Sequence, residues 1–139
     1  MRKPSLIVLK GLPYSGKTTA AYKLVEKGRK VRLSWTEIAD ALRGADEHSR
    51  NRLAMDAALR LMRNAFRIGL DVVLDECNLY PPSFALFVSF ATQSGAYIEY
   101  KIIRASADVC KERCIANGGS SEDIAKIDLL AEKYADVLK

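Results

Sequence analysis

The sequence predicts a three-layer α/β sandwich, with a parallel sheet of about four strands flanked by helices. Three observations predict it. Leu6-Ile7-Val8-Leu9 is an unbroken apolar run, the mark of a strand buried on both faces of a parallel sheet. Short apolar runs then alternate with helical stretches to the end of the chain. The first run also passes into a helical stretch through a turn bounded by Gly11 and Gly16.

The elements follow in order. Residues 18–27 read as a helix that stops at Gly28, because the position just past a helix end favours the left-handed backbone that glycine tolerates. Residues 30–33 make a short second strand, and residues 36–42 a short helix halted near Gly44. A long amphipathic helix spans 46–68, with Leu53, Leu59, Met62 and Phe66 facing one way. Its arginines (Arg50, Arg52, Arg60, Arg63 and Arg67) lie mostly elsewhere around it. Residues 71–75 give a third strand, apolar inside and acidic at its carboxyl end. Pro81-Pro82 opens a helix that runs to Gln93, since proline is tolerated in a first turn. A fourth strand covers 97–104, and a helix over 107–116 breaks at Gly118-Gly119. Ser120-Ser121 then supplies an N-cap for a last helix over 122–138.

The 139 residues suit a single domain over 1–139 with one sizeable core. Hydrophobic residues at 49% and charged residues at 28% exclude a disordered or collagen-like chain. No apolar run approaches the roughly 20 residues that a membrane span needs. The basic start, Met1 to Ser5, precedes an apolar segment too short for a signal-peptide core. The expectation is a soluble, cytoplasmic protein with no membrane partner.

The three cysteines are too few and too odd for a disulfide framework, and suit a reducing compartment. Cys110 and Cys114 fall four apart on one helix face, with no second histidine to complete a zinc site, and read as structural thiols. Charge is uneven. Residues 1–70 hold 15 Lys and Arg against 6 Asp and Glu, a net +9, while residues 71–139 hold 7 against 11, a net −4. A basic half favours an anionic partner, a nucleotide or a nucleic acid. The sequence specifies no oligomeric state.

Gly11-Leu12-Pro13-Tyr14-Ser15-Gly16-Lys17-Thr18 matches the phosphate-binding pattern G-x-x-x-x-G-K-[ST] at every fixed position, between a buried strand and a helix. The residue types have physical reasons. Gly11 and Gly16 let the backbone turn tightly, so that successive N–H groups converge on one phosphate. The helix that follows aims its positive end at the same anion. Lys17 brings a mobile charge to the outer phosphates, and Thr18 an oxygen for Mg²⁺. ATP is therefore expected along Gly11, Pro13, Tyr14, Ser15, Gly16, Lys17, Thr18 and Thr19.

In Leu74-Asp75-Glu76-Cys77-Asn78, a carboxylate at the carboxyl end of a parallel strand would lie beside that loop and reach Mg²⁺ through water. Asp75 is the first choice for this role and Glu76 the second, with Asn78 read as a turn stabiliser. Arg113 precedes the stretch Asn117-Gly118-Gly119-Ser120-Ser121. An arginine beside a glycine hinge suits a lid that neutralises charge on a phosphoryl group in transfer, with Arg104 and Lys111 as weaker rivals.

With these motifs in view, nearly the whole chain resembles the 5′-kinase domain of bacteriophage polynucleotide kinases and their small P-loop kinase relatives. The resemblance rests on the phosphate loop, on Ser34-Trp35-Thr36-Glu37-Ile38 leading to Leu42-Arg43-Gly44, on Asp75-Glu76-Cys77-Asn78-Leu79, and on the arginine-bearing lid helix. It implies a P-loop kinase fold and an ATP- and Mg²⁺-dependent transfer of the γ-phosphoryl group to a hydroxyl. The implied acceptor is a polynucleotide 5′ end or a nucleotide. A small molecule, a nucleoside or a modified base in DNA is the alternative acceptor, and a nucleotide-binding regulatory protein the alternative role.

The family's general-base aspartate falls at Thr36, its substrate-contacting arginine at Ala39, and its second lid arginine at Asn117. A threonine hydroxyl accepts no proton near neutral pH, so the base is sought in Glu37 first, then Asp40, then Asp75. The expected catalytic set is Lys17, Glu37, Arg113 and Asp75, with Thr18 and Asp75 toward the metal.

Overall fold

The computed structural model describes residues 2–139. Among them, four strands and six helices alternate as β1 (Ser5–Lys10), α1 (Lys17–Glu26), β2 (Lys30–Leu33), α2 (Trp35–Ala41), α3 (Glu47–Arg67), β3 (Asp71–Leu74), α4 (Pro81–Gln93), β4 (Tyr97–Ile102), α5 (Ala107–Ala116) and α6 (Ser121–Lys133). The strands pair in the order β2-β3-β1-β4, every pair parallel.

Side-chain alternation along the central strands divides the core between the two faces of the sheet. Leu6 and Val8 of β1 and Val72 and Leu74 of β3 point toward α3 and α4, where they meet Ala58, Met62, Phe66, Phe87 and Ala91. Ile7, Leu9 and Val73 point the other way, toward Ala21, Leu24 and Val25 of α1. A third cluster joins α5 and α6 through Cys110, Cys114 and Ile127 to Leu12 and Leu79, over the carboxyl ends of the strands. The buried cysteines are the packing thiols that the sequence predicts.

Some boundaries and one helix face differ from expectation. β4 ends at Ile102 rather than at 104, and α6 ends at Lys133, followed by turns rather than by a helix to 138. In α3, Leu53 is exposed, and the buried stripe is Ala54, Ala58, Met62, Ala65 and Phe66. Small alanines let α3 lie close on the sheet, so a pattern read from large side chains alone is rotated away from the true face.

Two buried polar side chains hold the strand ends. Asp71, at the start of β3, accepts from Ser5 N at 2.8 Å and pairs with Arg2 at 3.2 Å, tying β3 to β1. Asn78 adopts a left-handed φ of 51°, and its Nδ2 donates to Leu9 O (2.6 Å), Leu74 O (3.2 Å) and Glu76 O (3.2 Å). The turn-stabilising role read from the sequence matches this geometry. Asn78→Ala leaves those buried carbonyls short of a donor, at an expected loss of roughly 2–4 kcal/mol. Urea denaturation should show a lower midpoint with an unchanged slope.

Candidate active site

The phosphate loop leaves the carboxyl end of β1 and enters α1 through Gly16, whose φ of 104° makes it a left-handed N-cap. Tyr14 is also left-handed at φ 65°, a conformation rare for a tyrosine and held by the loop around it. Gly11 admits no side chain. A Cβ there would lie 2.7 Å from Ser15 Oγ and 2.9 Å from Ile103 O.

Lys17 is buried, and its Nζ donates to Leu12 O at 2.6 Å and Gly11 O at 3.1 Å. The ammonium is thereby centred in the loop. A cavity of about 710 Å³ opens above it, lined by Tyr14 to Thr19 and by Arg113 and Asn117 of the α5 end. Arg113 Nη1 donates to Tyr14 O at 3.1 Å, and Asn117 Nδ2 donates to Arg113 O at 2.7 Å. The lid arginine therefore rests on the loop itself.

Asp75, buried just past the end of β3, accepts from Thr18 Oγ1 at 2.9 Å and from Arg32 Nε at 2.7 Å. Arg32 forms a fork on Glu37, with Nη1 and Nη2 donating to its two oxygens at 2.8 and 2.7 Å. Those hydrogen bonds hold the Glu37 carboxyl below the usual carboxylate range, and they raise the Arg32 guanidinium further. Glu76 turns the other way. It accepts from Ser34 Oγ (2.9 Å), Thr36 N (3.0 Å) and Thr36 Oγ1 (2.7 Å), bracing the start of α2. Burial pushes its carboxyl up, and the donors at Thr36 and Ser34 partly offset that rise.

A second cavity, of about 440 Å³, lies where α2, α3, α6 and the segment after β3 converge. Thr36, Ala39 and Asp40 line it from α2, Arg50 and Asn51 from α3, Glu76 to Tyr80 from below, and Lys126 from α6. It adjoins the phosphate loop, since Gly11 N donates to Cys77 O at 3.1 Å. Arg50 Nε is buried there with no hydrogen-bond partner.

Comparison with known proteins agrees with this arrangement. A family profile described as AAA domain matches residues 6–133. The chain belongs to that family. This AAA domain has the fold of the small P-loop kinases. It is similar to a chain of the Pnkp1/Rnl/Hen1 RNA repair complex at 18% identity and a TM-score of 0.74, covering 96% of this chain and 47% of that one. A putative kinase from Chloroflexus aurantiacus J-10-fl is 23% identical with a TM-score of 0.73, over 94% of this chain and 76% of that one. The Mycobacterium tuberculosis APS kinase CysC, solved with AMPPNP and APS, is 17% identical with a TM-score of 0.62, over 82% and 70%. The AAA domain described here thus spans about half the length of the RNA repair chain. No curated protein sequence matches it.

Within this AAA domain Lys17, Thr18 and Arg113 share one cavity wall, and Asp75 is hydrogen-bonded to Thr18 without lining that cavity. Pro13 belongs to the loop but not to the cavity lining, and Gly11 acts from beneath it. Thr18 and Asp75 offer two hard oxygens side by side, a donor set suited to Mg²⁺, which takes few protein ligands and keeps waters and phosphate oxygens. Glu37 departs from expectation, because both of its oxygens serve Arg32 and it does not line the second cavity. Asp40 does line it, one helical turn beyond Thr36.

Sequence reading missed Arg32 and Lys126, and took Arg50 only as one of the arginines between Arg50 and Arg67 that could face a nucleic acid or solvent. Arg32 had a usable signal, as an arginine inside a short strand that leads to the carboxylates of the site. Lys126 had none, and nothing in the pattern set Arg50 apart from the other arginines of its helix.

Proposed function

We propose that this AAA domain transfers the γ-phosphoryl group of ATP to a hydroxyl of a nucleotide or a polynucleotide 5′ end. The observation that carries the reading is the buried, unpartnered Arg50 Nε in a cavity that abuts the Lys17 cradle. An acceptor in that cavity places its hydroxyl next to the phosphoryl group and gives Arg50 and Lys126 an anion to hold. Trp35 and Tyr80 line the same cavity and offer aromatic surface to a base.

Each residue then has a task. The loop N–H groups and Lys17 hold the outer phosphates. Bound Mg²⁺, held by Thr18 and Asp75, would neutralise charge on the phosphate oxygens. Arg113 moves from Tyr14 O to the charge that develops in transfer. Arg32 steadies Asp75 against Thr18, with Glu37 as its counter-charge. Proton removal from the acceptor passes from Glu37 to Asp40.

Asp40→Asn is expected to cut turnover by roughly 10²- to 10⁴-fold with ATP affinity intact. Glu37→Gln should keep turnover near wild type. The reverse pattern in steady-state rates would return the base to Glu37.

ADP release in the presence of 5′-hydroxyl oligonucleotides, nucleoside 3′-phosphates, free nucleosides and simple alcohols tests the acceptor. The phosphate-bearing acceptors should stimulate release. Equal stimulation by an uncharged nucleoside would remove the role given to Arg50 and Lys126.

A further inference from the structure

Arg32 ties several elements into one clamp beside the phosphate loop. From β2, its Nε donates to Asp75 Oδ2 at 2.7 Å. Its Nη1 and Nη2 fork onto the two oxygens of Glu37 on α2, at 2.8 and 2.7 Å. The Tyr22 ring of α1 lies 5.3 Å from the guanidinium carbon and covers it on one side. The Arg32 side chain is 15% exposed and that of Glu37 62%, so the arginine is the fixed member of the pair.

Both side-chain hydrogen bonds to Asp75 fall on the same oxygen. Thr18 Oγ1 also donates to Oδ2, at 2.9 Å, and among the described residues no group donates to Oδ1. The carboxylate is held by one oxygen and offers the other. Partners of this kind orient a metal-binding carboxylate and set how strongly it binds.

The charges give the clamp a second property. A guanidinium bonded to a carboxylate cancels much of the field that a divalent cation would meet there. Glu37 cancels the guanidinium in turn. Asp75, Arg32 and Glu37 together carry one net negative charge, whereas Asp75 and Arg32 alone carry none. Lysine could not replace Arg32, because a single ammonium lacks the planar fork that reaches two carboxylates at once. Glu76 cannot replace Glu37, since its oxygens already serve Ser34 and Thr36.

We propose that Glu37 sets the Mg²⁺ affinity of the nucleotide site, acting through Arg32 as a positioning and charge-balancing residue. The proposal rests on the reading of Thr18 and Asp75 as the oxygens that serve the metal. A plain tie between strand and helix would alter folding stability alone. The oxygen shared by Arg32 and Thr18 is what carries the effect of Glu37 to the site.

The test is binding of a fluorescent mant-labelled ATP to the full chain, titrated with Mg²⁺ and repeated in EDTA, with no acceptor present. Wild-type affinity should rise with Mg²⁺ to a plateau. Glu37→Gln leaves Arg32 on Asp75 without its counter-charge, and should raise the Mg²⁺ concentration at half-effect roughly three- to tenfold. Affinity in EDTA should stay unchanged or tighten, because the unbalanced cation attracts the phosphates. Glu37→Asp keeps the charge and should fall within about twofold of wild type. Turnover of Glu37→Gln at saturating Mg²⁺ should also stay near wild type, which separates metal affinity from proton removal. Circular dichroism melts report folding of each variant, and the exposed position tolerates the change.

An unchanged Mg²⁺ midpoint in folded Glu37→Gln overturns the proposal. So does an equal loss of affinity with and without Mg²⁺, or a Glu37→Asp variant as impaired as Glu37→Gln. Wild-type binding indifferent to Mg²⁺ would remove the metal reading of Thr18 and Asp75 itself, and the proposal with it.

Discussion

Lys17→Ala is expected to abolish phosphoryl transfer. Lys17 is the only cationic side chain in the loop, it is buried, and its Nζ already sits among Gly11 O, Leu12 O and Ser15 Oγ at the centre of the cradle. Alanine removes the charge that would meet the outer phosphates as negative charge shifts toward the leaving oxygen. Loss of one such preorganised group costs roughly 3–4 kcal/mol of transition-state stabilisation, or about 10²- to 10³-fold in turnover. The loss should be larger here because no neighbouring cation lies within the loop to replace it. The variant should still fold, as judged by circular dichroism, because the glycines and Asn78 set the loop's path. A folded Lys17→Ala protein with near wild-type turnover would remove the cradle from the reaction.

Arg113→Ala is the second large effect. The guanidinium lies over the loop, 3.1 Å from Tyr14 O, and a Cβ on Gly16 would stand 3.8 Å from Nη1. It therefore lines the same cavity as Lys17, where a bound phosphoryl group would come within a short side-chain movement. An arginine that meets charge developing in transfer acts on turnover more than on binding. The expected result is a fall in kcat of roughly 10²- to 10³-fold with little change in the KM for ATP. A raised KM at unchanged kcat would give Arg113 a ground-state binding role instead.

Much of the fold was legible because parallel-sheet physics writes itself into the chain. The run Leu6 to Leu9 is apolar at every position because α1 covers one face and α4 the other. The loop was legible for a similar reason. A phosphate cradle needs glycine where a Cβ would strike Ser15 and Ile103, so spacing and residue type are fixed together.

The general base proposed above, Asp40, was not legible, since adjacent helical positions point about 100° apart. Only the observed direction of α2 shows Glu37 turned to Arg32 and Asp40 turned to the cavity. Tertiary partners of this kind come from other elements, and local pattern carries no record of them. Leu53 failed for a related reason. The close approach of α3 to the sheet is set by alanines, which leave a weak signal in a hydrophobic pattern.

Transfer of label from ATP carrying ³²P at the γ-phosphate tests the central claim most directly, with a 5′-hydroxyl oligonucleotide or a nucleoside 3′-phosphate as acceptor. A cavity whose lining residue Cys77 is hydrogen-bonded to the phosphate loop at Gly11 predicts label on the acceptor hydroxyl, dependent on Mg²⁺ and lost in Lys17→Ala. Label found only in inorganic phosphate, or retained in ATP with every acceptor offered, would contradict the account.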